Sequence, residues 1–290
     1  MRSEITRATL NRAVFPQYET FHECCTRGLS AVYPFKSVDV ADPFGWKFGC
    51  VWPPSYGAFG RMRSLLAVHN ALRLGPKRVL EVAAGGGGLA ATLASEGSDV
   101  SVNDLREACL IDAVGEYSTA EKIKVFGGNL FDLSSKRTGK FDLVLACEVI
   151  EHVAHPAELL KHLKSFLEPG GRLLLTTPNG SYFRNKLPTF SAVKNFDELE
   201  ANQFKPDADG HLFLFTPKEL SQTAASVGLA IEHLSVWGTP LLNGHALFRV
   251  FATRSLMKVA YKIESLTQRL PVSGREYFCF AMSAILRSEQ

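Results

Sequence analysis

No run of about 18 consecutive apolar residues occurs in this 290-residue chain, which leaves no candidate for a membrane-spanning helix. The first residues, MRSEITRATLNR, are polar and hold no apolar signal core. Cysteines at metal-binding spacing are lacking as well. The six cysteines are Cys24, Cys25, Cys50, Cys109, Cys147 and Cys279, and the one close pair is adjacent, which suits neither a CxxC redox pair nor a zinc knuckle. They read as reduced thiols in a cytoplasmic protein. A net charge of +3 and no basic stripe argue against a nucleic-acid partner. Internal repeats and low-complexity tracts are absent. What remains is an ordinary globular composition, 46% hydrophobic and 21% charged, with ample material for a core.

Within that composition one stretch organises the rest, Arg78-Val79-Leu80-Glu81-Val82-Ala83-Ala84-Gly85-Gly86-Gly87-Gly88-Leu89-Ala90. A short apolar run with an acid inside it enters four glycines, and a helix-compatible segment follows. Backbone without Cβ atoms can turn sharply and lie against a ligand, and a helix N-terminus offers free N–H groups.

Strands and helices alternate from there. Arg78–Val82, Asp99–Asn103, Ile123–Phe126, Phe141–Ala146 and Arg172–Thr177 read as strands, with helices over 89–95, 105–117 and 156–167. The unbroken apolar run after Asp142 suits a strand buried on both faces of a parallel sheet, and the alternation predicts a doubly wound sheet. Residues 181–215 break the rhythm and read as an insertion covering the carboxyl edge of that sheet. Thr216-Pro217-Lys218-Glu219 carries the signature of a helix start, with threonine as N-cap, proline in first position and glutamate three residues on. A strand over 229–237, an amphipathic helix over 248–270 and a last strand over 277–286 complete the reading. Upstream, Phe15, Tyr18, Phe21 and His22 suggest one short helix. Trp46 and Trp52 lie in proline- and glycine-rich loops that suit either a lid or a pinned surface loop. A helix is expected over 60–74, stopped by Gly75-Pro76.

Two ligand classes use a glycine turn after a first strand. Gly85-x-Gly87-x-x-Ala90 formally fits the dinucleotide fingerprint, with Asp104 as the ribose acid. Three features favour S-adenosylmethionine (SAM) instead. Glu81 precedes the turn, placed for a ligand ammonium group. Gly128-Asn129-Leu130 ends the third strand and suits an adenine amino group and ring. Cys147-Glu148 follows the fourth strand, and Pro169-Gly170-Gly171 introduces the fifth. No lysine grip for phosphates follows the turn.

The runs VLEVAAGGGG, SVNDL, GGNLFDL, FDLVLACEVIEHV, LLKHLKSFLEPGGRLLLTTPN and HLFLFTPKELSQTAASVGL span about residues 78–230 in order. With them the chain resembles the class I SAM-dependent methyltransferases. That resemblance implies an α/β fold, a Rossmann-like doubly wound seven-stranded sheet, mostly parallel with an antiparallel final strand, plus a helical N-terminal segment and a cap insertion. It implies SAM contacts from Glu81, Ala83, Gly85, Gly87, Asp104, Leu105, Asn129, Leu130 and Cys147. Ala83 stands where the family usually has a glycine, which is tolerable if its φ is negative, and Asn129 where aspartate is common. Glu148-Val149-Ile150-Glu151-His152 is similar to the subgroup of ubiquinone-biosynthesis O-methyltransferases, and Trp52, Gly57, Phe59, Asn70 and Arg73 are similar to its N-terminal helix. In some relatives two glutamates and a histidine hold a divalent cation. Here that set would be Glu148, Glu151 and His152 with His211, suiting Mg²⁺ or Mn²⁺, although no metal is favoured.

The expected layout is an N-terminal helical or lid segment over 1–70, a SAM-binding domain over 71–240 with the 181–215 cap, and a C-terminal helix and strand over 241–290 completing the same domain. The expected activity is SAM-dependent methyl transfer to a small-molecule acceptor in a biosynthetic pathway, with a hydroxyl oxygen favoured. His152, Glu148 and His211 are the catalytic candidates, with His155 as a further possible base and Tyr182 and Trp52 as pocket walls. The alternatives are a metal-dependent O-methyltransferase acting on a quinol or an RNA 3′ end, and a non-catalytic SAM-binding scaffold. A monomer or a homodimer is expected.

Overall fold

Seven strands form one sheet in the order β3-β2-β1-β4-β5-β7-β6. They are Arg78–Val82 (β1), Asp99–Asp104 (β2), Ile123–Gly127 (β3), Phe141–Cys147 (β4), Leu167–Pro178 (β5), Leu229–Trp237 (β6) and Ala281–Ser288 (β7). The computed structural model describes residues 10–15, 57–203, 210–240 and 254–289. β1 to β5 pair in parallel, and β7 runs antiparallel to both β5 and β6. The helices are Gly57–Arg73 (α1), Gly88–Ser95 (α2), Glu107–Gly115 (α3), Ser135–Thr138 (α4), Pro156–Ser165 (α5), Phe196–Asn202 (α6), Pro217–Ser226 (α7), Arg254–Thr267 (α8) and Val272–Phe278 (α9).

The side-chain alternation of the strands divides the core into two layers. Val79, Leu143, Leu145 and Leu174 point to one face, where they meet Met62, Leu65 and Leu66 of α1 and Leu89 and Leu93 of α2. Leu80, Val82, Val144, Ala146, Leu173 and Leu175 point to the other, against Leu159, Leu160 and Leu163 of α5 and Leu220 and Ala224 of α7. Both faces of β1, β4 and β5 are thus covered, as their continuous apolar runs require. α1 runs through position 70 and contributes to the core, so the helix spans the boundary expected there.

Local signals account for most element ends. Thr216 caps α7 through the full capping box, accepting from Glu219 N–H while the Glu219 carboxylate accepts from Thr216 N–H. Four backbone and side-chain hydrogen bonds hold Glu219 below the usual carboxylate range despite its burial. Gly75 and Gly228, at φ 61° and 70°, end α1 and α7 in the left-handed region. Three expectations are corrected. The fifth strand begins at Leu167 rather than Arg172, with a register shift against β4 across Pro169-Gly170-Gly171. Tyr277 and Phe278 close α9, and the last strand starts at Ala281; a short apolar run does not distinguish a helix end from a strand. The helix after β2 is shorter than expected, since Asp104 accepts from Arg106 N–H and delays its start. The expected helix near Tyr18–His22, the Trp46 and Trp52 loops and the 248–253 part of the C-terminal helix lie outside the described residues.

Residues 10–15 lie along the outer strand β6. Asn11 N donates to Leu234 O (2.7 Å), and Leu234 N returns a bond to Asn11 Oδ1 (2.9 Å). The buried Arg275 guanidinium, on α9, donates to the carbonyls of Leu10 and Asn11. A sheet edge is thereby covered, and the two ends of the described chain are joined.

Candidate functional site

β2 and β3 leave β1 on one side, and β4 and β5 lie on the other. The order therefore reverses between β1 and β4, the place where open parallel sheets leave a crevice at their carboxyl ends. The glycine turn follows β1 at that point, and Cys147-Glu148 follows β4.

Glu81 is one residue from the end of β1 and shares the face of Val79. Its side chain is buried beneath the start of α2, where Oε2 accepts from Ala90 N–H at 2.8 Å. Burial drives its pKa up, the Ala90 bond offsets part of this, and the Asp104 charge adds to the rise; the result is about 8. A carboxyl held so far above its ordinary range beside an open turn is suited to a cationic ligand group, which would restore its charge.

The turn holds three left-handed residues, Ala83 (φ 48°), Gly85 (φ 54°) and Gly87 (φ 67°). The expectation of a negative φ at Ala83 is overturned: this alanine occupies the conformation in which glycine costs nothing. Open space surrounds a Cβ built at Gly85. At Gly87 it would meet Val114 Cγ2 at 3.1 Å, so this glycine lets α2 pack close to α3. Asp104, at the end of β2, accepts from Gly85 N–H (2.9 Å) and Arg106 N–H (3.0 Å), tying the turn to the neighbouring strand. Leu105 beside it is exposed. Asn103, buried in β2, donates to the carbonyls of Phe126 and Gly128 and sets the path of the loop after β3. In that loop Asn129 is exposed and caps a single turn by accepting from Phe131 N–H. Leu130 is half-buried, and its carbonyl accepts from His162 of α5 at 2.8 Å.

Across the crevice, Cys147 shares the face of Glu81. Burial, with the Glu81 and Glu148 charges, pushes its thiol up to about 12, so it is an inert wall at neutral pH. Glu148 is left-handed at φ 57°. Its Oε1 accepts from Thr176 Oγ1 (2.8 Å), and its Oε2 pairs with Arg63 Nη1 of α1 (3.1 Å). Glu151 is fully buried; Oε2 accepts from Thr177 Oγ1 at 3.0 Å, while Oε1 is buried without a hydrogen-bond partner. Burial and the Glu148 charge raise its pKa well above the carboxylate range. His211 Nε2 lies 3.8 Å from that Oε1, and the His152 and His211 rings meet edge to face at 4.9 Å. Burial and the neighbouring His152 lower the His211 pKa.

The alternation of β5 explains this division. Thr176 and Thr177 point to opposite faces, so the glutamates they hold are drawn apart. Glu148 goes to the α1 side and to an arginine, and Glu151 to the side of the returning insertion, where Leu212 N–H bonds its carbonyl. The four residues considered as metal ligands therefore do not act as one set. Potential ligand atoms of Glu151, His152 and His211 lie within 4.8 Å of one another, and Glu148 is outside the group. His155 points away, to Glu200 of α6, and stacks on Phe196. Tyr182 is buried against Phe183 and Phe280 with a hydroxyl that has no partner. The roles of Arg63, Thr176 and Thr177 were not read from the sequence. The threonine pair ending the apolar run Leu173-Leu174-Leu175 was the visible signal; nothing marked Arg63 within its helix.

A family model described as a methyltransferase domain matches residues 58–234. A ubiquinone biosynthesis O-methyltransferase of Acinetobacter baumannii (strain AYE) is 30% identical over 166 residues, 56% of this chain and 67% of that protein. One from Coxiella burnetii (strain RSA 331 / Henzerling II) is 28% identical over 184 residues, 63% of this chain and 76% of that protein. Among solved structures, the CcbJ methyltransferase from Streptomyces caelestis superposes with a TM-score of 0.51 at 16% identity, covering 82% of this chain and 91% of that one; at that identity the likeness concerns the fold.

Proposed function

Because the chain belongs to the methyltransferase-domain family and is a SAM-dependent methyltransferase, we propose that it methylates a hydroxyl oxygen of a small biosynthetic metabolite. The observation that carries this reading is the cluster of Glu151, His152 and His211 at the carboxyl edge of β4, one strand from the glycine turn. A hydroxyl must lose its proton as it attacks, and two half-buried imidazoles beside a buried carboxyl supply proton acceptors. The names of the relatives, both O-methyltransferases, support an oxygen acceptor.

SAM supplies an electrophilic methyl group on sulfur. In this reading Glu81 takes its ammonium group, Gly85 lets its methionine part lie on bare backbone, Asp104 and Leu105 take the ribose side, and Asn129 and Leu130 take the adenine. Ala83, Gly87 and Cys147 form the walls. The buried acid at about 8 fits a cationic ligand and has no use in a nicotinamide site. His152 and His211 then hold the acceptor proton, with the buried Glu151 carboxyl 3.8 Å from His211. The described parts of the insertion, 181–203 and 210–215, would cover the acceptor side in this reading.

A second reading has its own observation, the unpartnered Oε1 of Glu151. A divalent cation would lower the pKa of the acceptor hydroxyl. With Glu148 diverted to Arg63, the remaining donors are one carboxylate and two imidazoles. That softer set suits Mn²⁺, Fe²⁺ or Zn²⁺ better than Mg²⁺. Turnover with a phenolic acceptor panel before and after chelation separates the two. Activity that survives chelation supports the imidazole bases. Activity lost on chelation and restored by Mn²⁺ supports the metal. No methylation of any hydroxyl, with methylation of amines instead, would overturn the oxygen assignment.

A further inference from the structure

We propose that a hollow at the amino-terminal edge of the sheet binds a small hydroxyl-bearing phosphate, a sugar phosphate in size and chemistry. The hollow measures about 780 Å³, within the range of small-molecule sites. It lies where α5 and α7 end and where β4 and β5 begin. The glycine turn and the Glu151 cluster lie at the other ends of the strands. β4 is seven residues long, so roughly 20 Å separates the two edges. A molecule held here is therefore a second ligand, distinct from the cofactor and the acceptor, and the inference stands apart from those assignments.

Three lysines line the wall. Lys161 and Lys164 are three apart near the end of α5 and share a side of that helix, and Lys140 immediately precedes β4. Lys164 is already committed, since its Nζ donates to the carbonyls of Val227 (3.1 Å) and Gly228 (2.8 Å) at the end of α7. Lys140 and Lys161 are exposed and form no hydrogen bond or ion pair with any described residue. Among the described residues the one acid on the wall is Glu168, and it pairs with Arg78 Nη1 of β1 at 3.4 Å. Both helices point their negative ends here, each worth about half a charge. The Lys164 bonds answer α7, and two uncommitted lysines exceed the half charge of α5. The hollow is left positive.

The chemistry of the wall selects the anion. An ammonium group is a compact point charge that suits a tetrahedral phosphate, whereas a planar carboxylate is matched by an arginine fork. No arginine lines the wall among the described residues. Ser165 and Ser226 spend their protons on His162 O and Thr223 O, both at 2.7 Å, so their Oγ atoms remain as acceptors for ligand hydroxyl groups. Gly170 is left-handed at φ 80°, and a Cβ built on it would meet nothing within 4 Å, so bare backbone faces the ligand.

The test is a phosphorus magnetic-resonance titration of ribose 5-phosphate with the full chain at about 0.15 M salt, which screens scattered surface charges. The wild type should bind with a Kd of about 1 mM or tighter, and saturating S-adenosylhomocysteine should leave that value unchanged. Inorganic sulfate, without hydroxyl groups for the serines, should compete about tenfold more weakly. Lys140→Gln with Lys161→Gln should weaken binding about tenfold or more, while Lys122→Gln with Lys218→Gln, at exposed lysines outside the hollow, should not. Ser226→Phe, which fills the hollow and leaves both lysines in place, should weaken it as well. All five side chains are exposed, so the melting temperature should stay near that of the wild type. Absence of saturable binding overturns the proposal and assigns the lysines to the helix ends alone. Undiminished binding by the Lys140 and Lys161 pair variant or by Ser226→Phe overturns it too. Displacement by S-adenosylhomocysteine would place the phosphate in the crevice, and sulfate as effective as ribose 5-phosphate would leave only a counter-ion site; either result refutes it.

Discussion

Replacing Glu81 by glutamine separates the charge of this side chain from its shape. The glutamine keeps an oxygen for Ala90 N–H and fills the same buried space, but it has no proton to release. In the wild type without ligand, burial and Asp104 hold the carboxyl at about 8, so near neutral pH only about one molecule in ten carries the anion. If a ligand ammonium group needs the anion, binding releases a proton, and apparent affinity at pH 7 is about tenfold below that of the fully ionised site. SAM affinity should then rise about tenfold per pH unit between about pH 6 and 7.5. It should level off as the α-amino group of the ligand, with a pKa of about 8, loses its own proton. Glu81→Gln should lose the rise, and near pH 8 it should bind more weakly by about 1.5–3 kcal/mol, the scale of a hydrogen bond to a charged group. Stability without ligand moves the other way. The folded protein keeps a proton that the unfolded chain gives up near 4.5, so wild-type stability should fall from about pH 4.5 to about 8, and less so in the variant. Calorimetric titration of SAM in two buffers of different ionisation heat counts the proton directly. A count of zero for the wild type, or the same pH profile in both proteins, refutes the reasoning.

Other consequences are open to simpler assays. Ala83→Gly should raise stability in urea by about 0.5–1 kcal/mol, because relief of the left-handed alanine, about 1–2 kcal/mol, exceeds the entropy cost of glycine; a loss of similar size would mean that the methyl group packs usefully. Asp104→Ala should weaken SAM binding by about 1–3 kcal/mol and lower the melting temperature, since Gly85 N–H loses its acceptor; unchanged affinity in a folded variant would remove Asp104 from the site. His152→Ala should reduce turnover more than SAM affinity, and an equal loss of both would assign it a structural role.

The order of the parallel strands was legible because each is a short apolar run bounded by its own turn signal, and the capping box at Thr216 gave the start of α7 to the residue. The last strand was less so: Tyr277-Phe278-Cys279-Phe280 is apolar in either state, and the hydrogen bonds from Asn179 to Glu276 and Cys279 that hold this turn cross about a hundred residues of sequence. Glu81, Gly85 and Asp104 were legible as one group because all three gather at one turn. The arrangement after β4 was not, for a geometric reason. Glu148 and Glu151 sit three apart and resemble a pair, but the threonines on opposite faces of β5 separate them, and Arg63 claims the first from a helix 85 residues upstream. The strain at Ala83 was likewise invisible, since an alanine in a turn says nothing about the sign of its φ.

A crystal structure of the complex with S-adenosylhomocysteine tests the central claim most directly. The account predicts the amino group of the ligand on Glu81, its adenine at Asn129–Leu130, and its sulfur facing the space before His152 and His211. A sulfur turned away from those imidazoles, or a ligand whose amino group lies far from Glu81, would contradict it.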